Sequence, residues 1–160
     1  MFRINKKIDL IFFSWTGNTK KVAEIIFNEL LRLGFEINFV EIKPERDYPY
    51  LIWLFLSFIP NLGVKINQIR VDSDIFILCM PKWTFNCPPI TSFLKQADLC
   101  NKTVYLVITY GGFDEKRYAK SYVDKIKKLG GIVKDVLLVK RSRIENDRER
   151  IVEWVKSIFK

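Results

Sequence analysis

Residues 12 to 26 read FFSWTGNTKKVAEII, and the change of character within them decides the fold. An apolar run that begins at Ile8 stops after Phe13, and six residues from Ser14 to Thr19 follow with three hydroxyls, one amide, one indole and one glycine. Apolar positions then return as Val22, Ile26, Leu30 and Leu33, at spacings of four, four and three, until Gly34. A short continuous apolar run fits a strand buried on both faces, as in a parallel sheet, and the later spacing fits an amphipathic helix stopped by glycine. The polar hinge joins the two.

The same grammar recurs along the chain. Asp74 to Met80 and Thr103 to Thr109 are apolar runs of strand length. Pro88 and Pro89 can open a short helix through Phe93 and Leu94. A longer helix carries Ala119, Tyr122, Ile126 and Leu129 and stops at Gly130 and Gly131. Asn146 as N-cap, with Glu149 as its capping-box partner, would start a last helix that presents Ile151, Val155 and Ile158. The order is strand, helix, strand, apolar insert, strand, helix, strand, helix, strand, helix. That alternation predicts one α/β domain over residues 1–160, a three-layer sandwich around a parallel sheet, without repeat, linker or second domain.

Composition removes several chemistries. The chain has no histidine, so a Ser/His/Asp or Cys/His nucleophile pair and a histidine-bearing metal site cannot be built, and hydrolase readings fall away. Cys79, Cys87 and Cys100 are odd in number and lack CxxC spacing, which argues against a disulfide framework, a zinc site or an iron–sulfur cluster and for buried or half-buried free thiols. No apolar leader opens the chain and no stretch approaches the ~20 apolar residues of a membrane span, so a soluble, cytoplasmic protein is expected. The net charge of +9 is concentrated late: residues 1 to 100 hold 12 basic and 10 acidic side chains, residues 101 to 160 hold 15 and 8. Much of it reads as solvated helix faces, such as Lys125, Lys127 and Lys128 beside Asp124, so neither a metal nor nucleic acid is expected as a partner.

In an open α/β sheet, ligands bind beyond the carboxyl ends of the strands, which is where Ser14 to Thr19 lies. A helix start offers unpaired N–H groups and a positive dipole end, to which Ser14, Thr16, Asn18 and Thr19 add neutral donors, while Gly17 lets the chain approach a ligand. A phosphate suits this hinge, and a capped helix start without ligand explains it as well. Neither GxGxxG nor GxxxxGK[ST] is present, and the strand ends carry Phe13, Ser14, Met80 and Pro81 rather than the acidic cluster of a receiver domain.

SWTGNT resembles the phosphate loop of the flavodoxins, whose pattern is Ser/Thr-x-Thr-Gly-x-Thr, with Trp15 and Asn18 at the variable positions. The likeness spans nearly the whole chain and includes PKWTFNCPPITSFLKQ after the third strand and TYGGFDEKRY after the fourth, where that family places two loops around a flavin ring. The resemblance implies a five-stranded parallel sheet in the order 2-1-3-4-5, and FMN as cofactor. It implies FMN contacts from Ser14, Trp15, Thr16, Gly17, Asn18 and Thr19 in the first loop and from Pro81, Lys82, Trp83, Thr84, Phe85 and Asn86 in the second. Thr109, Tyr110, Gly111, Gly112 and Phe113 supply the third.

A flavin ring is a flat apolar plate with a polar rim, held best by aromatic faces and backbone hydrogen bonds. Trp83 and Tyr110 suit the faces, although Trp83 could instead plug the sheet edge and Phe113 or Tyr118 could replace Tyr110. Gly111 and Gly112 would let backbone groups approach the pyrimidine edge, or form a plain tight turn. Carrier flavodoxins are typically acidic; this chain is basic and places Lys82 inside a flavin loop, which sets it apart from a standard ferredoxin substitute.

The leading expectation is an FMN-binding redox protein that passes electrons between a reductase and an unidentified acceptor. An NAD(P)H-dependent quinone or FMN reductase of the same fold, and a non-redox module that has lost the flavin, are the alternatives. Residues 48 to 63, YPYLIWLFLSFIPNLG, stand where the family usually has a covering helix. An element apolar all round shows a spare face to solvent unless the following residues 61 to 73 bury it. A homodimer contact is the expected use of that face, ahead of a redox-partner surface and of shallow membrane contact.

Overall fold

The computed structural model describes residues 6–159. Five parallel strands form one sheet in the order β2-β1-β3-β4-β5, with β1 at Lys7–Phe12, β2 at Glu36–Glu41, β3 at Ile75–Pro81, β4 at Thr103–Tyr110 and β5 at Ile132–Lys140. The helices are α1 (Asn18–Arg32), α2 (Tyr50–Ser57), α3 (Pro88–Gln96), α4 (Glu115–Lys128) and α5 (Arg148–Ile158), and a 3₁₀ turn at Arg141–Arg143 follows β5. The three-layer α/β arrangement and the strand order are those expected from the sequence, and the three apolar runs became strands within one residue of the bounds read from it.

Alternation along the central strands builds two cores. Ile8, Leu10 and Phe12 of β1, with Ile77 and Cys79 of β3, meet Val22, Ile26 and Leu30 of α1 and Ile151 and Val155 of α5. Ile11, Phe76, Leu78 and Met80, with Val104, Leu106 and Ile108 of β4, point the other way onto Ile90 and Phe93 of α3 and Tyr122 and Ile126 of α4. Burial on both faces is what the unbroken apolar runs required.

Three expectations need correction. Asn146 does not cap α5. The N-cap is Asp147, whose carboxylate takes Arg150 Nη2 at 3.2 Å and Arg143 Nη2 at 3.7 Å, and no side chain caps the helix. Cys79 and Cys87 are buried, and burial pushes both thiols up, but Cys100 is exposed. Third, the segment after β2 does not cover the sheet.

That face is filled by the loop leading into β3, where Ile66, Ile69 and Val71 pack on the core beside Ile42. Side chains fasten this loop in place of a helix: the Asn67 Nδ2 donates to Glu41 O (3.0 Å), its Oδ1 accepts from Lys43 N (2.7 Å), and Val64 N donates to Ser92 Oγ (2.7 Å). α2 is thereby displaced toward the carboxyl ends of the strands. It makes no extensive contact with any strand or other helix, and buries Trp53 and Ser57. Leu51 (74% exposed), Phe55 (67%) and Ile52 of α2, with Phe58 just after it, face outward, so residues 61 to 73 do not cover them. No helix among the described residues is long and apolar enough to cross a membrane.

Candidate functional site at the carboxyl ends of the strands

A cavity of about 650 Å³ opens where β1, β3, β4 and β5 end. Its size falls in the range of roughly 300 to 1,000 Å³ usual for cofactor sites. Thirteen of the residues expected to bind a cofactor line it: Trp15, Thr16, Asn18 and Thr19 from the first loop, Pro81, Lys82, Trp83 and Thr84 from the second, and Thr109, Tyr110, Gly111, Gly112 and Phe113 from the third. Ser14, Gly17, Phe85 and Asn86 do not.

At the hinge, the Ser14 Oγ accepts from Gly17 N at 3.0 Å and closes a tight turn. Gly17 has φ +93°, a conformation that suits glycine, and the space around the missing Cβ is open. Its backbone conformation, rather than a crowded approach, is what calls for glycine here. No side chain caps α1, so the N–H groups of its first turn end in the loop without an intrahelical acceptor. The reading of the hinge as a side-chain-capped helix start therefore fails. The Asn18 Nδ2 donates to Thr16 Oγ1 (3.2 Å), whereas the Thr19 hydroxyl is buried and bonds the Thr109 hydroxyl at 2.7 Å. Thr19 thus ties α1 to the end of β4, and Thr16 is left as the exposed threonine of the loop.

The aromatic walls are more extensive than the sequence suggested. Trp15 stacks on Tyr50 of α2 with ring centroids 5.7 Å apart. The half-buried Trp83 lies edge-on to Phe13 at 5.4 Å and tilted to Trp53 of α2 at 5.5 Å. Trp83 therefore packs on the core and lines the cavity at once. Tyr110 lines the cavity, and Phe113, 80% exposed, stands at its mouth. Tyr118 leaves the candidates: it is buried against Tyr122, its hydroxyl donates to Pro81 O (3.3 Å), and burial pushes its pKa well above the usual value.

Asn86 has a different task from the one expected. It is fully buried and its Nδ2 donates to Ile59 O (3.1 Å) and Leu62 O (2.8 Å), while its Oδ1 accepts from the Thr91 hydroxyl. With every polar atom engaged, it clamps the chain that follows α2. Phe85 packs on Phe58 outside the cavity. The second loop holds α2 further through Phe85 N and Asn86 N, which donate to Ser57 O at 3.3 and 3.0 Å. Ser57 Oγ donates to Leu54 O and pairs with the Thr84 hydroxyl.

Sequence reasoning missed Tyr50, Trp53, Leu54, Ser57 and Arg141, all of which line the cavity. The aromatic content of residues 48 to 63 was a signal, but the family pattern sent that segment to the sheet face. Trp53 matters most among them. It is 2% exposed, and its Nε1 is buried without a hydrogen-bond partner among the described residues. Burying an unpaired N–H costs about 1 to 3 kcal/mol, a cost that Trp53 shares in kind with the Ser73 Oγ, also unpaired among the described residues, at the other end of the sheet. Of the charged residues lining the cavity, Lys82 and Arg141 are cationic and none is acidic. An open helix start, aromatic walls, an orphan donor and cationic edges fit a flat cofactor that bears a phosphate.

No protein-family model matches the chain. An uncharacterized protein of Archaeoglobus fulgidus (strain ATCC 49558) is 42% identical over 153 residues, which is 96% of this chain and 99% of that protein. Among solved structures, a protein of Bacteroides eggerthii DSM 20697 provisionally described as a flavoprotein matches with a TM-score of 0.75 at 23% identity, over 98% of this chain and 99% of that one. The flavoprotein of Lactobacillus acidophilus NCFM, solved in complex with FMN, matches with a TM-score of 0.69 at 21% identity, over 88% and 97%. Oxidised Flavodoxin 2 of Bacillus cereus matches with a TM-score of 0.64 at 18% identity, over 93% and 94%.

Proposed function

The chain belongs to the same family as the Archaeoglobus fulgidus protein and has the flavodoxin fold, and from that premise we propose that it is an FMN-binding redox protein that passes electrons between a reductase and an acceptor. The observation that carries this reading is the cavity itself, with an uncapped helix start beside aromatic walls and a buried indole N–H that lacks an acceptor. When bound, FMN supplies reversible uptake of electrons.

The protein's own residues bind, orient and tune. The first-turn N–H groups of α1 and the Thr16 hydroxyl hold the phosphate. Trp83 and Tyr110 flank the ring, with Trp15 and Tyr50 extending the aromatic wall, and the backbone at Gly111 and Gly112 meets its polar rim. Trp53 Nε1 donates into the same site. Thr19 and Thr109 lock the loop to β4, which fixes where the phosphate end stands relative to the ring end.

The purified protein is expected to show the visible absorption of bound flavin, or to acquire it on titration with FMN. Slow NAD(P)H oxidation by the pure, flavin-loaded protein distinguishes a carrier from a reductase of this fold; rapid turnover would favour the reductase. The outward face of α2 is proposed as a protein contact, with a second copy of this chain as the first occupant, since Leu51 and Phe55 are exposed beside a helix that already lines the site. Light scattering should give a dimeric mass that falls to that of a monomer in Phe55→Glu. A wild type that stays monomeric at high concentration removes the homodimer.

A further inference from the structure

The loop at Gly111 and Gly112 is surrounded by cations, of which only Lys82 stood out in the sequence. Arg141, the first residue of the 3₁₀ turn after β5, lines the cavity and lays its guanidinium against Gly111. A Cβ on Gly111 would stand 3.2 Å from an Arg141 Nη atom, 3.4 Å from its Cζ and 3.5 Å from its Nε. Gly111 does not have a positive φ, so its backbone conformation is open to other residues. What glycine provides there is room for the guanidinium.

Lys140 lies over the neighbouring glycine in the same way, with Cε 3.4 Å and Nζ 3.6 Å from where a Gly112 Cβ would be. From the other side, Lys82 Nζ sits 5.8 Å from the centroids of Phe113 and Tyr118. None of these three cations joins an ion pair among the described residues, and no acidic side chain lines the cavity. Three unpaired positive charges around one short loop repel one another. Negative charge arriving between them relieves that repulsion.

We propose that Arg141, assisted by Lys82, is a tuning residue of the site that stabilises negative charge on the pyrimidine edge of the reduced flavin. The inference rests on the flavin reading above. Uptake of two electrons and one proton leaves a flavin with one more negative charge than its oxidised form, and Gly111 and Gly112 are the loop read as meeting the pyrimidine rim. The phosphate has its own seat at the start of α1. Arg141 therefore favours the reduced over the oxidised cofactor and raises the midpoint potential, the opposite of what an acidic surround does. A site of this kind receives electrons readily and hands them to acceptors of comparatively high potential.

Binding of oxidised and of dithionite-reduced FMN, together with the two-electron midpoint potential from spectroelectrochemistry, tests this on the full chain. Arg141→Gln is expected to weaken reduced FMN about threefold to tenfold relative to oxidised FMN. That ratio corresponds to a midpoint lower by about 15 to 30 mV, at about 30 mV per tenfold for two electrons. Arg141→Lys should retain most of the wild-type value, Arg141→Glu should move it further down, and the Gln shift should shrink with added salt because Arg141 is exposed. An unchanged ratio of the two affinities in Arg141→Gln overturns the proposal. So does an equal loss for both redox states with riboflavin unaffected, which would assign Arg141 to the phosphate. A wild type that takes up no FMN at all refutes the flavin reading itself, before any variant is made, and the inference with it.

Discussion

Near the amino end of the sheet, the carboxylate of Asp9 is fully buried in β1 and accepts from Asn38 Nδ2 at 2.9 Å, Asp72 N at 3.1 Å and Ser73 N at 2.9 Å, whereas at the carboxyl end the buried Trp53 Nε1 donates to nothing among the described residues. One polar group inside the fold is supplied by the fold. The other is left to whatever enters the cavity. The uncapped start of α1 and the cations on the glycine loop share that second condition, whereas the hydroxyls of Ser57 and Thr84 are supplied by the fold through each other and Leu54 O.

The largest effect expected from breaking this contrast is at the closed end. Asp9→Ala leaves the Asp72 and Ser73 N–H groups without their acceptor and should destabilise the protein by about 3 kcal/mol. At roughly 2 to 4 °C per kcal/mol for a chain of this size, the melting temperature falls by about 6 to 12 °C. FMN affinity of the folded fraction should not change, and a parallel loss of affinity would erase the distinction between the two ends.

At the open end the order of effects reverses, with binding moving more than stability. Thr16→Ala removes the hydroxyl proposed to donate to the FMN phosphate, a hydrogen bond worth about 1.5 to 3 kcal/mol. Calorimetric titration should therefore show FMN affinity down by about tenfold to a hundredfold and riboflavin affinity nearly unchanged. Thr19→Ala, which loses the bond to Thr109, should act mainly on the melting temperature; the reverse pattern for the two threonines would exchange their assigned tasks.

Trp53→Phe sharpens the contrast further. The substitution deletes the orphan donor, so the rise in melting temperature produced by saturating FMN should become smaller than in wild type, even where the free protein melts somewhat lower through lost packing. A variant in which FMN raises the melting temperature by as much as before would show that the indole N–H serves no ligand.

The smallest effect belongs to Glu29 on α1, whose carboxylate accepts from Arg32 Nε at 3.0 Å and Nη2 at 2.7 Å. That hydrogen bond, followed in size by the opposing effect of burial, holds its pKa below the ordinary 4.5. A depressed folded-state pKa means stability that is fully present above the unfolded value and lost as pH falls through the folded one. Glu29→Gln should accordingly lower the melting temperature slightly at neutral pH, and the difference from wild type should narrow below pH 4.5.

Much of this was legible in the sequence for reasons that lie in single residues. The apolar runs of β1, β3 and β4 are buried on both faces, so their composition alone announces a parallel sheet. The loop residues that line the cavity sit directly after those strands, where position along the chain and position in space coincide. What stayed hidden depends on contacts distant in sequence. Ser57 is the one clearly polar residue in an apolar helix, yet it is buried at 1% exposure while Leu51 and Phe55 face outward. Its inversion follows from Phe85, Asn86 and Thr84, about thirty positions later, which bind its carbonyl and hydroxyl. Arg141 was invisible for the same reason, since its importance comes from lying on Gly111. Asn86 looked like a ligand because it occupies a cofactor loop, and only the carbonyls of Ile59 and Leu62 reveal that it holds the chain instead.

The claim on which all of this depends is that the carboxyl end of the sheet is a flavin site, and the most direct measurement is the fluorescence of FMN as wild-type protein is added. Stacking against Trp83 and Tyr110 should quench the emission to a plateau at one FMN per chain, with Trp83→Ala binding more weakly and recovering part of the signal. Emission that stays unquenched at protein concentrations well above that of FMN would contradict the account.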